Sequence, residues 1–565
     1  MRTIDSDSLL KSRLHAVAPA KLGDLAHTLG PAVAAALSGV LLFAGFPPYN
    51  LPLLSWFALI PLLRAIEGKR SGQSFLLALW TGIVFILGVF NYHWIFDIHF
   101  DNNWQHAILA AYYVVYVGYS AAYVGTFGLC FSRISRRFGL PVALLAAPFF
   151  WVALEFLRSN MFFLAFPWAL LAHSQYQATP VIQVASVTGA YGVSFLIVLV
   201  NSALFALLFP FLGPGKRRNS FQLAMSSRER WGLISLASAT VAAILFYGYL
   251  SMVDGWSGKS IEVAALQGNI EQNRKWNQKY ARFIMDTYDR LTREAALGKP
   301  DLIVWPESAT PRYLESNPDL YAQVKRLAKE VGTNLLIGTA GTPKFQRGDA
   351  ASQSGVNSMV LIRPDTGFGK EQKYDKIRLL PFGEYLPLEN VIPWSYIGVP
   401  TPALSISGKE TALLSTPDFR FGAPICWENV FPDLIRGFVK AGGQFIVNST
   451  NEAWFGKTPV PYHFLSMSVF RAVENRRFMV RCANTGISCV IDPCGRVVDR
   501  VRDAEGRDIF VTGIVSARIT CLDSLTIYTR CGDWPAAASL ICSAALLLAS
   551  LRRGRIQASP HGGVF

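Results

Sequence analysis

Five stretches of this chain, residues 75–92, 107–131, 193–212, 231–252 and 534–551, contain no Asp, Glu, Lys or Arg. A helix rises about 1.5 Å per residue and the hydrocarbon layer of a bilayer is about 30 Å thick. Each stretch therefore approaches the ~20 apolar residues that one crossing needs. Lipid offers no partner for a backbone N–H or C=O, so such a stretch crosses as a helix. Three weaker stretches, 31–46, 51–63 and 140–157, are also apolar, the third interrupted by Glu155. The first two are short, and Pro47, Pro48 and Pro52 between them predict a helical hairpin. Composition agrees: the 565 residues are 51% hydrophobic and only 16% charged, against about 25% charged in ordinary soluble domains.

The net charge of +15 would suit nucleic acid, but the placement of the charges argues for a membrane instead. Basic residues gather in alternate loops. Arg2, Lys11, Arg13 and Lys21 precede the first stretch, followed by Arg64, Lys69 and Arg70, by Arg133, Arg136 and Arg137, by Lys216, Arg217, Arg218, Arg228 and Arg230, and by Arg552, Arg553 and Arg555. The intervening loops 91–106 and 159–191 contain no Lys or Arg. The positive-inside rule then predicts about eight transmembrane helices with both termini cytoplasmic. On this reading residues 1–257 form a membrane domain of about seven helices, and 258–532 form a domain on the outer face, periplasmic in a bacterial cell. Residues 533–552 form a final span and 553–565 a cytoplasmic tail. The first apolar run lacks a small-residue cleavage site and reads as a retained span.

Within 258–532 the pattern changes to short strands, such as "IEVAALQGN", "DLIVWPE", "NLLIGTA", "NSMVLI", "FGAPICWEN", "QFIVNSTN", "FMVRCANTG" and "SCVIDP", alternating with amphipathic stretches at 280–296 and 318–331. This predicts an α/β domain. Polar residues recur where the strands end: Glu307, Lys373, Lys376, Glu384, Cys426 and Glu428. Loops at strand ends are free to carry function while the sheet holds them.

A thiol is a weak nucleophile until it loses its proton, so it needs a base. A carboxylate in a partly desolvated cleft, with raised proton affinity, can accept that proton and return it to a leaving group. A fixed ammonium, with a backbone N–H, can stabilise the oxyanion formed when a carbonyl is attacked. Glu307, Cys426 and Lys376 supply these three groups, with Lys373 as the alternative lysine. Taken singly, each has a plainer reading: a solvated loop carboxylate, a core cysteine, a surface lysine. Glu384 and Glu428 read either as supporting acids or as ordinary salt-bridge partners.

The segments "VWPES", "KIRLLPFGEYLPLE", "ICWEN", "NEAWFG" and "RCANTGIS" closely resemble the nitrilase (carbon-nitrogen hydrolase) superfamily, whose Glu-Lys-Cys trio occurs in this order. With "QGNIEQNRKW" and "YTRCGDWP", the resemblance extends over almost the whole chain to the superfamily's membrane-bound apolipoprotein N-acyltransferase family. It implies a polytopic α-helical membrane protein carrying a nitrilase-like α-β-β-α sandwich. It implies Glu307 as general base, Lys376 as oxyanion-stabilising lysine and Cys426 as nucleophile, with Glu384 and Glu428 in support. Trp276 and Trp427 would lie near the substrate, Trp276 reading equally as a core aromatic. Two positions depart from the family pattern: Trp427 stands where tyrosine is common, and Glu452 where Asp is usual.

The function implied is ping-pong acyl transfer. An acyl chain passes from a membrane phospholipid, typically phosphatidylethanolamine, to Cys426 as a thioester. It then passes to the α-amino group of the N-terminal diacylglyceryl-cysteine of an apolipoprotein, the last step of lipoprotein maturation. No cofactor and no nucleic-acid partner is implied, and the location is the bacterial inner membrane. The competing readings are a membrane-bound amidase or nitrilase-type hydrolase, and a non-catalytic lipid scaffold or transporter. Of the eight cysteines, Cys521 and Cys531 are plausible disulfide partners in an oxidising compartment, with the pairing of Cys482, Cys489 and Cys494 open. No Cys-x-x-Cys or His-x-x-x-His pair occurs, so no metal site is predicted. Aromatic residues of the outer loops, Trp168 among them, read as an interfacial belt, and Glu155 and Arg158 as a pair that snorkels to the surface.

Overall fold

The computed structural model describes residues 30–90, 103–211, 225–252, 255–275, 277–341, 355–367, 369–394 and 405–552. The basic residues before position 30, residues 91–102, the basic cluster at 216–218, Trp276 and the tail from 553 lie outside the described residues. Among the described residues, six helices are long and apolar enough to cross a membrane. Five precede the α/β domain: α1 (Ser71–Val89), α2 (Asn103–Phe138), α3 (Leu140–Ser159), α4 (Ala190–Leu208) and α5 (Ser227–Ser251). The sixth is the last helix, Trp534–Arg552. The count of about eight is thus not reached by full-length helices. The prolines leave two shorter apolar helices, Gly30–Ala44 and Pro52–Ile66, in the region predicted as a hairpin.

Local sequence sets several helix ends. Ser226 caps α5 by accepting from the Glu229 N–H at 3.2 Å, while Glu229 returns a bond to the Ser226 N–H at 2.8 Å, so two N–H groups without helical partners are satisfied together. Glu155 and Arg158 do not snorkel. Both are buried near the end of α3, where Glu155 accepts from Trp151 Nε1 at 2.9 Å and the Leu171 N–H at 2.7 Å. Arg158 donates to the Trp168 carbonyl at 2.7 Å. They pin the loop after α3 to the helix. Trp168 is likewise buried, packed edge-on against Phe464 of the α/β domain, so it belongs to the junction between domains.

The α/β domain contains two six-stranded sheets. The first is ordered β12-β1-β2-β3-β4-β5, with β1 Ser260–Gln267, β2 Leu302–Val304, β3 Asn334–Gly341, β4 Val356–Ile362, β5 Gln372–Asp375 and β12 Gly513–Thr520. The second is ordered β11-β10-β9-β8-β7-β6, with β6 Leu414–Ser415, β7 Arg420–Gly422, β8 Phe445–Thr450, β9 Met479–Ala483, β10 Cys489–Ile491 and β11 Val497–Arg500. Each sheet has a parallel trio, β1-β2-β3 and β7-β8-β9, extended by antiparallel strands.

Strand side chains alternate faces with period two, and the packing follows. Ala264, Leu266, Ile303, Leu335 and Ile337 face the helices α7 (Ala281–Ala296) and α8 (Pro318–Val331), which follow the four-residue α6 (Gln272–Lys275). Val263, Ala265, Leu302, Val304 and Leu336 enter the other core with Phe421, Ile446 and Val480 of the second sheet. Ser449 Oγ donates to the Trp305 carbonyl at 3.0 Å across the seam. The helices α9 (Pro432–Lys440) and α10 (Val460–Asn475) accompany the second sheet, and α10 also meets the membrane domain. There Glu474 Oε1 accepts the Ala190 N–H at the start of α4, at 3.1 Å, and Arg471 Nη2 at 2.8 Å.

All eight cysteines are free thiols, so the Cys521–Cys531 pairing is not formed. Cys521 is buried after β12 while Cys531 is exposed.

Candidate active site

Three chain segments meet at the ends of strands from both sheets. Glu307 follows β2 in a tight turn in which Ser308 takes φ +48°. The turn packs on β3 where Gly338 stands: a Cβ there would lie 2.1 Å from the Pro306 carbonyl oxygen, so only glycine fits. Lys376 directly follows β5, its N–H bonded to the Asn357 carbonyl of β4 at 2.9 Å. Cys426 follows β7. The run "FGAPIC" does not continue as a strand; Cys426 opens a 3-10 turn, Cys426–Val430, with φ +55°. A non-glycine residue held at positive φ carries strain, which the surrounding contacts must outweigh.

The side chains converge. Lys376 Nζ lies 2.9 Å from Glu384 Oε1 and 3.4 Å from Glu307 Oε1, and all but 2% of its side chain is buried. Glu307 is held from two further sides. Its Oε1 accepts from Asn357 Nδ2 at 2.7 Å and its Oε2 from the Asn451 N–H at 2.7 Å. The Cys426 thiol interacts with the same carboxylate and with the Lys376 charge. Lys373, the alternative lysine, points elsewhere, toward Glu315 and Asp375 at 3.5 and 3.6 Å on a more exposed surface.

Electrostatics correct one expectation. Burial alone would push the Glu307 carboxyl up. The Lys376 ammonium, the Asn357 amide and the Lys275 ammonium together outweigh it and hold Glu307 below its ordinary value. Burial, reinforced by the Glu307 charge, pushes the Cys426 thiol up to about 12 despite Lys376. Burial opposes the charge on Lys376, yet Glu384 and Glu307 overcome it and hold the ammonium well above its usual range. The resting site is therefore a carboxylate beside a neutral thiol. A preformed thiolate is disfavoured.

Glu428 is a brace. Fully buried, it accepts Tyr374 Oη at 2.8 Å, the Ile377 and Arg378 N–H groups at 2.7 and 2.9 Å, and the Ile425 N–H at 2.7 Å. It thereby ties both sides of Lys376 to both sides of Cys426. Trp427 adds a second tie, its indole N–H donating to the Arg378 carbonyl at 2.8 Å, so the position that departs from tyrosine still makes a hydrogen bond. Glu452, the other departure, forms a buried ion pair with Arg481 at 2.5 Å. Trp276 cannot be placed, since it lies outside the described residues. Reading the chain alone missed Asn357, Asn451 and Lys275. Of these, Lys275 sits within the quoted "QNRKW" and Asn451 immediately before Glu452, so proximity to a motif was the available signal.

Residues 38–203 match the family model described as the apolipoprotein N-acyltransferase N-terminal domain, and residues 262–521 match that of carbon-nitrogen hydrolase. The chain is 34% identical over 525 residues to an apolipoprotein N-acyltransferase of Geobacter metallireducens, covering 92% of this chain and 95% of that protein. It is 30% identical over 545 residues to one of Gloeobacter violaceus, covering 95% and 96%. Among solved structures, an amidase from Nesterenkonia sp. AN1 aligns with 48% of this chain and 95% of its own, at 16% identity and a TM-score of 0.35.

Proposed function

The chain belongs to the apolipoprotein N-acyltransferase family, and from that premise we propose how this acyltransferase of lipoprotein maturation carries out its reaction. The acyl donor is a membrane phospholipid, phosphatidylethanolamine foremost. Cys426 attacks its ester carbonyl while Glu307 takes the thiol proton. The developing oxyanion is stabilised by Lys376, which Glu384 holds in place. Collapse of the tetrahedral adduct expels the lysophospholipid alkoxide, to which Glu307 returns the proton, and leaves a Cys426 thioester. In the second half the α-amino group of a diacylglyceryl-cysteine attacks the thioester. Glu307 accepts the amine proton and passes it to the departing sulfur. Glu428 and Trp427 hold the lysine and cysteine segments in register.

The observation that carries this reading is the convergence of Glu307, Lys376 and Cys426 from two sheets into one buried cluster. The membrane location follows from the substrates. Moving a long acyl chain into water at ~0.8 kcal/mol per CH₂ would cost more than ~10 kcal/mol, so the site opens onto lipid. Exposed apolar side chains on segments that also carry site residues support this: Leu388 and Val391 beyond Glu384, and Trp454 beyond Asn451, are 46%, 76% and 63% exposed. The proposed setting is the bacterial inner membrane, with residues 258–532 periplasmic and both termini cytoplasmic.

The test is to incubate the full-length enzyme in phosphatidylethanolamine vesicles and resolve its intact mass. A fatty acyl group on Cys426 that discharges onto a lipopeptide amine supports transfer. Discharge to water would make the protein a hydrolase, and no adduct would make it a scaffold.

A further inference from the structure

Resting on the reading that Glu307 is the base, we propose that Lys275 is a positioning residue of the acylation step, whose buried ammonium anchors the main chain at Glu307 and keeps its carboxylate ionised. Lys275 ends α6 and is only 1% exposed. Its Nζ donates to the main-chain carbonyl of Glu307 at 2.8 Å. The other end of the same short helix reaches the carboxylate side: Gln272 Oε1 accepts from Asn451 Nδ2 at 2.9 Å, and the Asn451 N–H donates to Glu307 Oε2. Asn484 Nδ2 bonds Asn451 Oδ1 at 2.9 Å and steadies that arm. One helix thus grips Glu307 at its backbone and, through Asn451, at its carboxylate.

Burying a lysine is costly unless its charge has a purpose in that place. Among the described residues no carboxylate oxygen lies within ion-pair distance of Lys275. The groups facing its charge are Glu307 and Cys426. Glu307 in turn faces Lys376, Asn357 and Cys426, and Lys376 faces Glu384. Glu452, which also senses Glu307, is neutralised by Arg481. With Cys426 as a thiol and Lys275 protonated, as it is below about pH 7, the site holds two ammoniums, Lys275 and Lys376, against two carboxylates, Glu307 and Glu384. During attack the Glu307 charge moves to the oxyanion, and the balance is unchanged. Without Lys275 the same step would build an oxyanion in a pocket one charge too negative. Burial lowers the Lys275 ammonium to about 7, against the opposing pull of Glu307 and Cys426, so it is charged in the acid range where the base is at risk of protonation.

The experiment is single-turnover acylation of the full-length enzyme in phosphatidylethanolamine nanodiscs, quenched and read by intact mass across a pH series. Removing a cation beside a carboxylate raises the carboxylate's proton affinity, so the base is lost at higher pH. Lys275→Met should slow acylation by about tenfold or more and move the acid limb up by about one pH unit or more, with KM for phospholipid unchanged. Lys275→Arg, which keeps the charge, should restore the limb. A Lys275→Met limb coincident with wild type, whatever the rate, would reduce Lys275 to a structural role. Should Lys275→Met lose its cooperative melt, Lys275→Arg decides: an unmoved limb supports the proposal and a moved one overturns it. Wild-type enzyme that forms no Cys426 adduct at all would bring down the parent reading together with this one.

Discussion

Glu428 Oε1 accepts the main-chain N–H of Ile377 at 2.7 Å, so the residue two places after the thiol grips the residue one place after the lysine. Removing that grip should cost geometry as well as stability. Glu428→Ala would strand three N–H groups and the Tyr374 hydroxyl, at ~1–3 kcal/mol for each buried donor left unsatisfied. Glu428→Gln keeps the volume but replaces one accepting oxygen by a donor. A misplacement near 1 Å is worth on the order of a hundredfold in rate. Thermal melting of the Ala variant and single-turnover acylation of the Gln variant check these two outcomes.

A thiol pushed up to about 12 should be sluggish toward alkylation. Iodoacetamide at neutral pH should label the exposed Cys531 at least about a hundredfold faster than the buried Cys426, followed by peptide mass spectrometry over time. Comparable rates would show that a thiolate is already present at Cys426.

The depressed Glu307 carboxyl predicts the pH profile. A base must be ionised to act, and Glu307 loses its charge only as pH falls through its folded value, below the ordinary 4.5. Acylation should therefore persist as pH falls to about 5 and drop beneath that. Glu307→Gln, which cannot take the proton, should lower acylation by roughly 10²–10⁴-fold and remove the limb while the melt stays cooperative.

The junction between domains depends on a buried pair. Glu474 accepts from Arg471 and from the Ala190 N–H, and Arg471 also donates to the Val430 carbonyl at 3.2 Å. Glu474→Ala leaves a buried guanidinium without its carboxylate, so the melt should fall by an amount equivalent to about 3–5 kcal/mol. Arg471→Met combined with Glu474→Met should recover part of that loss, because no charge remains unpaired.

What the chain disclosed without coordinates follows a physical rule. Glu307, Lys376 and Cys426 were legible because each stands in a short stretch whose local chemistry is unusual. Lys275 and Asn357 were not, because the burial of a polar side chain is decided by partners distant in sequence: Lys275 meets Glu307 32 residues later and Asn357 meets it 50 residues earlier. Hydrophobic periodicity took Cys426 for a strand residue because a pattern of apolar side chains carries no record of the sign of φ. Four strands escaped: β5, β6 and β11 are only two to four residues long, and the eight-residue β12 lies at the sheet edge beside β1 with a mixed burial pattern. The two short apolar helices near the amino end fall where residues 31–46 and 51–63 read as a hairpin, because the prolines between them mark the break.

Glu307 and Lys376 hang from one sheet and Cys426 from the other, with Ser449 reaching across the seam to Trp305. On the proposed mechanism the reacting atoms are thus mounted on two separate plates, and their spacing is a measure of how those plates are clamped. A methyl group added or removed between the layers, at Val304 or Ile446 for instance, would slide one plate against the other. Turnover is then a gauge of interlayer fit, and residues that never approach a substrate fall under the same selection as those that do.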